Sequence, residues 1–256
     1  MNKLFYNSNA NNHTKQTDFR RCINFIKSGL IKQYTKSNYT VLDMCCGKGG
    51  DVFKFLHSGI SFYTGIDHSN QSIEEAVRRT KHVRGKTQIQ FHCYDCSQDL
   101  YFLNMQYDCI FCNLAIHYMC ETREVLHSLM ANVSRLLKKG QHFICTTCDM
   151  EKVYYYMKHK NKYFEISKCK SLPQQYKVPY HFKMKDCVNA PEYLVSVGEL
   201  MKIGEMVGLQ IQQCENFEKL FHQFCNTYNN VYQESFQSVD CIKEIDLYNM
   251  ICFVKI

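Results

Sequence analysis

A short apolar run, Tyr39 to Met44, breaks into Cys45-Cys46-Gly47-Lys48-Gly49-Gly50-Asp51, and a second run, Phe62 to Ile66, is closed by Asp67. No other segment narrows the possible folds as much. Apolar runs of this length bounded by glycine read as buried strands, and Asp51 to His57 has helical character. Strand, glycine-rich bend and helix, with an acid ending the next strand, form the unit that holds a nucleotide in open α/β sheets. The glycines let the backbone turn sharply and approach the ligand, while the acid accepts from ribose hydroxyls.

The alternation continues on both sides. Ile23, Ile26, Leu30 and Ile31 give one apolar face to a helix from Asp18 to Tyr34. A helix over Gln71–His82, with Ser69 or Ser72 as cap, precedes a strand over Ile89–Cys93. Tyr107–Leu114 is a strand, Arg123–Leu137 a helix stopped by Lys138-Lys139-Gly140, and His142–Thr147 another strand. This order predicts a doubly wound parallel sheet with helices on both faces. Strands apolar throughout, as at 109–112, agree with burial on both sides. Beyond Pro191 the pattern predicts a helix from Glu192 to about Val207 stopped by Gly208, and a strand over Leu209–Cys214. A helical stretch from Phe217 and a last strand over Asp246–Val254 follow.

Composition excludes several classes. Across 256 residues, 45% are hydrophobic and 21% charged, ordinary globular values that fit one large domain and neither a disordered nor a collagen-like chain. No apolar run approaches the ~20 residues of a membrane span. Met1 to Lys15 is polar and lacks a signal-peptide core, so the expectation is a soluble protein that is not exported. The 16 cysteines therefore read as free thiols in a reducing compartment. Cys93/Cys96 and Cys109/Cys112 mimic a zinc ribbon, and Cys145/Cys148 shares the spacing. Cys109 and Cys112 fall within an expected strand, however, where residues i and i+3 point to opposite faces. No metal is expected.

Charge is unevenly spread. Residues 152–185 hold nine Lys and one Glu, whereas residues 186–256 hold four Lys and ten acids. Tyr154, Tyr155, Tyr156, Tyr163, Phe164, Tyr176, Tyr180 and Phe182 interleave the lysines of the basic block. Lysines attract phosphate and aromatic faces stack bases, so the block suits a polyanion-binding surface. A solvated, lysine-rich pair of strands would have the same composition. The three prolines fall at 173, 179 and 191, which makes this block an insertion between sheet elements. The expected organisation is a single domain over 1–256: an N-terminal helix (18–37), a nucleotide-binding core (38–150), the basic aromatic insertion (151–190) and a C-terminal part of the sheet (191–256).

Three cofactor types compete for the glycine bend. A P-loop needs Gly-Lys-Ser/Thr after four spacers, which is absent, and a dinucleotide site wants G-x-G-x-x-G, whereas these glycines are 47, 49 and 50. Asp43, two residues before the Cys pair, together with Asp95 after the third strand, fits S-adenosylmethionine instead. One carboxylate holds the ribose and another accepts from the adenine amine.

From Arg20 to Lys255 the chain resembles the eukaryotic-type mRNA cap guanine-N7 methyltransferases. The resemblance is carried by Leu42-Asp-Met-Cys-Cys-Gly-Lys-Gly-Gly-Asp51, by Asn24-Phe-Ile-Lys-Ser-Gly-Leu-Ile31 and by Ala115-Ile-His-Tyr118. Pro191-Glu-Tyr-Leu-Val195 and Leu247-Tyr-Asn-Met-Ile-Cys-Phe253 complete it. It implies a Rossmann-like class I methyltransferase: a doubly wound, mostly parallel seven-stranded sheet with an inserted β-rich cap-binding subregion. S-adenosyl-L-methionine would be the cofactor and S-adenosyl-L-homocysteine its product. Lys27 would pair with the methionyl carboxylate, Asp67 with the ribose, and Asp95 with Cys96 the adenine edge. The backbone at Cys45 and Gly47 would approach the cofactor, with Asn113 and Tyr118 at its methionyl end. Glu192 would accept from guanine N1–H and the exocyclic amine, His117 and Tyr248 would frame the base, and Asn24, Lys48, Lys54 and Arg79 would lie near the ribose and triphosphate.

The implied substrate is 5'-capped RNA (GpppN), with other capping enzymes or RNA polymerase II as further partners, no membrane, and a monomer in the nucleus; a viral or cytoplasmic setting is compatible. Guanine N7 offers a lone pair and no proton, so no residue is expected to serve as nucleophile or general base. Plainer readings exist for each residue: helix lysines at Lys48 and Lys54, a satisfied buried imidazole at His117, a helix N-terminal acid at Glu192. The rival functions are another RNA or small-molecule methyltransferase and a catalytically silent binding subunit. Cys45, Leu114 and Cys148 stand where the family usually has Gly, Phe and Pro, Asn113 is shorter than the usual Gln, and Ile23 replaces an Asn. A positive φ at Cys45 would be costly.

Overall fold

The computed structural model describes residues 18–169, 178–184, 187–228 and 239–256. Lys170, Pro173, Tyr176, Lys177 and Lys185 of the basic block, and the polar start, lie outside the described residues.

Asp18–Tyr34 forms helix α1, burying Phe19, Cys22, Ile23, Ile26, Leu30 and Ile31. Strand β1 (Thr40–Met44), helix α2 (Val52–His57), β2 (Phe62–Asp67), α3 (Asn70–Thr80) and β3 (Gln88–Cys93) follow. Ser69 caps α3, its side chain accepting from the Ser72 amide at 3.2 Å. Then come β4 (Tyr107–Cys112), a 3-10 turn (Ile116–Cys120), α4 (Arg123–Leu136) and β5 (Leu137–Cys148). Helix α5 (Met150–Tyr156) leads to β6 (Phe164–Lys168), β7 (Pro179–Met184) and β8 (Val188–Tyr193). Helix α6 (Val197–Met206), β9 (Leu209–Asn216), α7 (Phe217–Tyr228), α8 (Val239–Glu244) and β10 (Tyr248–Lys255) complete the described chain.

The main sheet has seven strands in the order β3-β2-β1-β4-β5-β10-β9, and β6-β7-β8 form a separate three-stranded sheet. β1 pairs in parallel with both β2 and β4, so the strand order reverses between β1 and β4. β10 inserts antiparallel between β5 and β9. Alternate strand residues enter cores on opposite faces. Val41, Tyr63, Cys109, Phe111 and Ile144 pack with α1, α2 and α7, whereas Leu42, Ile66, Ile110, Cys112 and Phe143 pack with α4 and α6. The doubly wound sheet expected from the apolar strands is therefore present. Cys109 and Cys112 lie in different cores, which is why they cannot grip one ion.

Among the boundaries that differ from the sequence reading, two have a clear physical cause. Lys138-Lys139-Gly140 does not end at a loop: β5 begins at Leu137, and residues 138–141 bulge opposite Asp108 alone, between the pairs Tyr107–Leu137 and Cys109–His142. Gly140, at φ 74°, makes that bulge feasible. Glu192 does not start a helix. It lies in β8, paired with Tyr180 of β7, and the helix begins only at Val197. Pro191, which suggests a helix start, is accommodated because β8 is an edge strand of its sheet.

Candidate active site

The reversal of strand order leaves a crevice at the carboxyl ends of β1 and β4, the place where open α/β sheets bind ligands. Here it is a cavity of about 770 Å³, a size typical of small-molecule sites. The bend after β1 forms its floor. Cys45 takes φ 59°, Gly47 φ 54° and Gly49 φ 67°, and a side chain on Gly49 would also press on Ala76 Cβ of α3 at 3.1 Å, so glycine is favoured there. Asp67 fixes the bend. Its Oδ2 accepts from the Gly47 amide and its Oδ1 from the Ser69 amide, both at 2.9 Å. Each oxygen keeps accepting capacity toward the cavity that Asp67 lines.

A buried cation–anion cluster occupies one wall. Asp51, 7% exposed, receives Lys27 Nζ on Oδ2 at 3.0 Å and Lys54 Nζ on Oδ1 at 2.5 Å. Asn113 donates to the same Oδ2 at 3.3 Å. Burial alone would push the Asp51 carboxyl up, but the two ammonium groups pull it down to about 2. Burial drives neighbouring Asp43 the other way: with the charge of Asp51 it raises that carboxyl to about 7, against the Tyr63 hydroxyl donating at 2.7 Å. Lys54 also reaches Asn24 Oδ1 at 3.4 Å, and Arg79 donates to the Lys48 carbonyl at 2.9 Å.

The same cavity is lined by Glu192, 3% exposed. Tyr180 Oη donates to its Oε2 at 2.6 Å and Tyr118 Oη to its Oε1 at 3.1 Å, while His117 Nε2 stands 3.4 Å from Oε1. Burial would raise this carboxyl, but the imidazole and the two hydroxyls more than offset it and hold it below the usual carboxylate range. Cys148 Sγ lies 3.9 Å from Oε2, and Tyr248 is buried against Phe19 and Phe217.

Lys27, Cys45, Gly47, Asp67, Asn113 and Tyr118 line this one cavity, as do Asn24, Lys48, Lys54, Arg79, His117, Glu192 and Tyr248. Glu192 and the glycine bend thus face a common space. Asp95 and Cys96 are not among its walls: Asp95 is exposed and accepts from the Ser97 amide and hydroxyl, and Cys96 is buried. The Tyr118 hydroxyl, expected at the cofactor's methionyl end, bonds to Glu192. Sequence reasoning gave Asp51 no role and read Tyr180 only as a base-stacking ring of the basic block, whereas it is buried and bonds to Glu192. Asp51 closes the glycine motif and so was readable; Tyr180 sits in the alternation Tyr180, Phe182, Met184, which points one face of β7 inward. Among the described residues no His, Cys, Asp or Glu group is arranged to hold a metal.

The walls fit S-adenosylmethionine. Asp67 presents a carboxylate at the bend, Lys27 supplies a cation, and the buried Oδ1 of Asn113 has no hydrogen-bond partner among the described residues. That oxygen would accept from an ammonium group of the ligand.

The chain spans roughly half to two-thirds of the length of the curated cap methyltransferases it matches in fungi and plants. It is 32% identical over 231 residues to the mRNA cap guanine-N(7) methyltransferase of Saccharomyces cerevisiae, covering 78% of this chain and 52% of that protein. With mRNA cap guanine-N(7) methyltransferase 1 of Oryza sativa subsp. japonica it shares 28% over 227 residues, 78% of this chain and 61% of the other. A solved protein of Pyrococcus horikoshii OT3 superposes with a TM-score of 0.62 at 16% identity, over 98% of this chain and 95% of that one, a likeness of fold alone. The model of the mRNA (guanine-N(7))-methyltransferase domain matches residues 5–240. With its glycine bend, Asp67 and Glu192 gathered on one cavity, the chain belongs to the mRNA (guanine-N(7))-methyltransferase family.

Proposed function

We propose that this protein transfers a methyl group from S-adenosylmethionine to N7 of the 5' GpppN cap guanine of RNA. The observation that carries the reading is the Glu192 carboxylate, buried, ionised and oriented by two tyrosine hydroxyls in the cavity that the glycine bend also lines. Guanine presents two adjacent donors, N1–H and the exocyclic amine, and a carboxylate meets both where a neutral side chain offers one acceptor. The family's cofactor, S-adenosylmethionine, carries an electrophilic methyl on a sulfonium.

The residues' work is positioning and electrostatics. N7 has an in-plane lone pair and no proton, so no side chain needs to remove one. Lys27 and Asp51 anchor the cofactor end, Asp67 holds the ribose, and Glu192 fixes the base so that N7 faces the donor. Orientation of this kind accounts for roughly 7–11 kcal/mol of a barrier in well-aligned systems. Guanine gains positive charge as the methyl arrives, and the fixed anion at Glu192 favours that change. Asn24, Lys48, Lys54 and Arg79 lie on the wall where a triphosphate would need cations. Tyr248 and His117 bound the base slot. Nuclear residence, monomeric action and contact with other capping enzymes or RNA polymerase II belong to the same proposal.

A labelled-methyl assay on GpppA-RNA, uncapped RNA and free GTP tests it, with the product digested to locate the methyl group. Label confined to N7 of the cap guanine is expected. Label on an internal base or on a small metabolite would overturn the assignment, and cofactor binding without transfer would indicate a silent subunit.

A further inference from the structure

Outside the cavity, the largest unassigned feature is the exposed side of α5 and the turn that follows it. Tyr154 and Tyr155 are 45% and 52% exposed, and His159 stacks on Tyr155 at 4.2 Å and 26°. Lys158, Lys160 and Lys162 are all exposed within the same turn. Two acids of the neighbouring segment are engaged with other side chains. Asp246 holds Lys152 and accepts from Tyr156, while Glu244 accepts from Asn161. Glu151 is the exposed acid of the helix itself.

Two chains of ring contacts connect this segment to elements that line the cavity. Tyr163, beside Lys162, stacks on Phe19 at 5.2 Å and 12°, and the next residue of α1, Arg20, lines the cavity. Tyr156 sets its edge on Phe164 at 5.0 Å, and Phe164 packs on Phe182, another cavity wall. Packing through Phe19, Phe164 and Phe182 thus ties the lysine turn to elements that line the cavity.

We infer that Lys158, Lys160 and the Tyr155–His159 stack carry the single-stranded RNA that follows the cap, an inference that rests on the cap reading above. Exposed lysines track a phosphate backbone, and exposed rings offer faces to bases irrespective of sequence. An acidic peptide would use the lysines but would leave the aromatic stack without a role, so charge and aromaticity together favour RNA.

The test uses the full chain and two variants, Lys158→Ala/Lys160→Ala and Tyr155→Ala. Methyl transfer is measured on the GpppA dinucleotide and on a capped oligonucleotide of about ten nucleotides across a salt series, with fluorescence anisotropy on the matching uncapped RNA. The double variant is expected to raise KM for the capped oligonucleotide several-fold and to leave dinucleotide turnover unchanged. Two lost phosphate contacts lower the salt slope of RNA binding by about 1.4. Tyr155→Ala should weaken RNA binding at least about fivefold with little change in that slope. Equal losses on dinucleotide and oligonucleotide, or no loss on either, would overturn the inference. So would unchanged RNA binding with lost affinity for a poly-glutamate probe, which would assign the surface to an acidic peptide. If the unaltered protein methylates neither capped substrate yet the variants lose uncapped RNA, the cap reading fails while this surface stands.

Discussion

Replacing Glu192 by Gln probes the base-binding wall with least collateral damage. The carboxylate is 3% exposed and takes Tyr180 on Oε2 at 2.6 Å and Tyr118 on Oε1 at 3.1 Å. Gln keeps the volume and one acceptor, which satisfies Tyr180, and its amide can donate to the Tyr118 oxygen. What it cannot do is accept both guanine donors, nor offer a charge. One charge-assisted hydrogen bond contributes about 1.5–3 kcal/mol. At ~1.4 kcal/mol per factor of ten, kcat/KM on GpppA-RNA should fall roughly 10- to 150-fold. Ala is less informative, because it strands two hydroxyls in a dry wall at about 1–3 kcal/mol each and confounds turnover with stability. The assay is labelled-methyl transfer at limiting substrate, with thermal melting and calorimetric cofactor titration as controls. Cofactor affinity should hold, since the hydroxyls that bond to Glu192 are those of Tyr180 and Tyr118, not groups of the Lys27, Asp51 and Asn113 cluster. Turnover of the Gln variant within about twofold of the parent, with folding intact, would refute guanine recognition by Glu192.

Other tests address the bend and its charges. Asp43 is raised to about 7, so it binds its proton more tightly when folded, and stability from this group is present below the ordinary value of 3.8 and lost as pH rises toward 7. Denaturant titrations of Asp43→Asn should lack that decline. Asp51 has the opposite sign: lowered to about 2, it stabilises above 3.8 and loses that contribution as pH falls toward 2. Asp51→Asn leaves Lys27 and Lys54 without their anion and should cost about 3–5 kcal/mol, read as a lower denaturation midpoint, and weaken cofactor binding. At Cys45, with φ 59°, the usual preference for Ala over Gly should invert: Cys45→Gly should be more stable than Cys45→Ala by about 1 kcal/mol. An Ala variant as stable as the Gly one would show that this backbone angle is not strained.

Period and motif carried the architecture because burial on both faces leaves strands no polar register to mistake. The apolar 109–112 segment, split between two cores, is the clearest case. Local signals failed where tertiary pairing decides. Pro191 before Glu192 has the look of a helix start, yet the ladder to β7 holds both residues in a strand and turns Glu192 toward Tyr180. Nothing local marks that pairing. Asp95 follows β3 as expected, and its Oδ1 accepts from the Ser97 amide and hydroxyl. Asp51 was visible as a letter of the motif, but its role as the shared partner of Lys27 and Lys54 depends on α1 crossing the bend, which spacing alone does not reveal.

The departures from the family's usual residues follow one physical logic. At Cys45 the chain keeps a left-handed angle that glycine would adopt freely, and Leu114 does the same at φ 53°. An L-residue there costs roughly 1–2 kcal/mol. The angles persist because the surroundings fix them: the Cys46 amide donates to Ile66 O at 2.9 Å, and the Leu114 amide to Thr146 Oγ1 at 2.8 Å. Geometry at the strand ends is thus set by hydrogen bonds to neighbouring strands, and residue type can drift while the bend does not. Cys148 is the complementary case. Its small thiol adjoins Glu192 and leaves room beside the carboxylate, so orientation of the acid falls to Tyr180 and Tyr118. Removing the Tyr180 hydroxyl with Phe should therefore reduce kcat/KM about as much as one charged hydrogen bond contributes, while Cys148→Ser, which keeps a small donor there, should not.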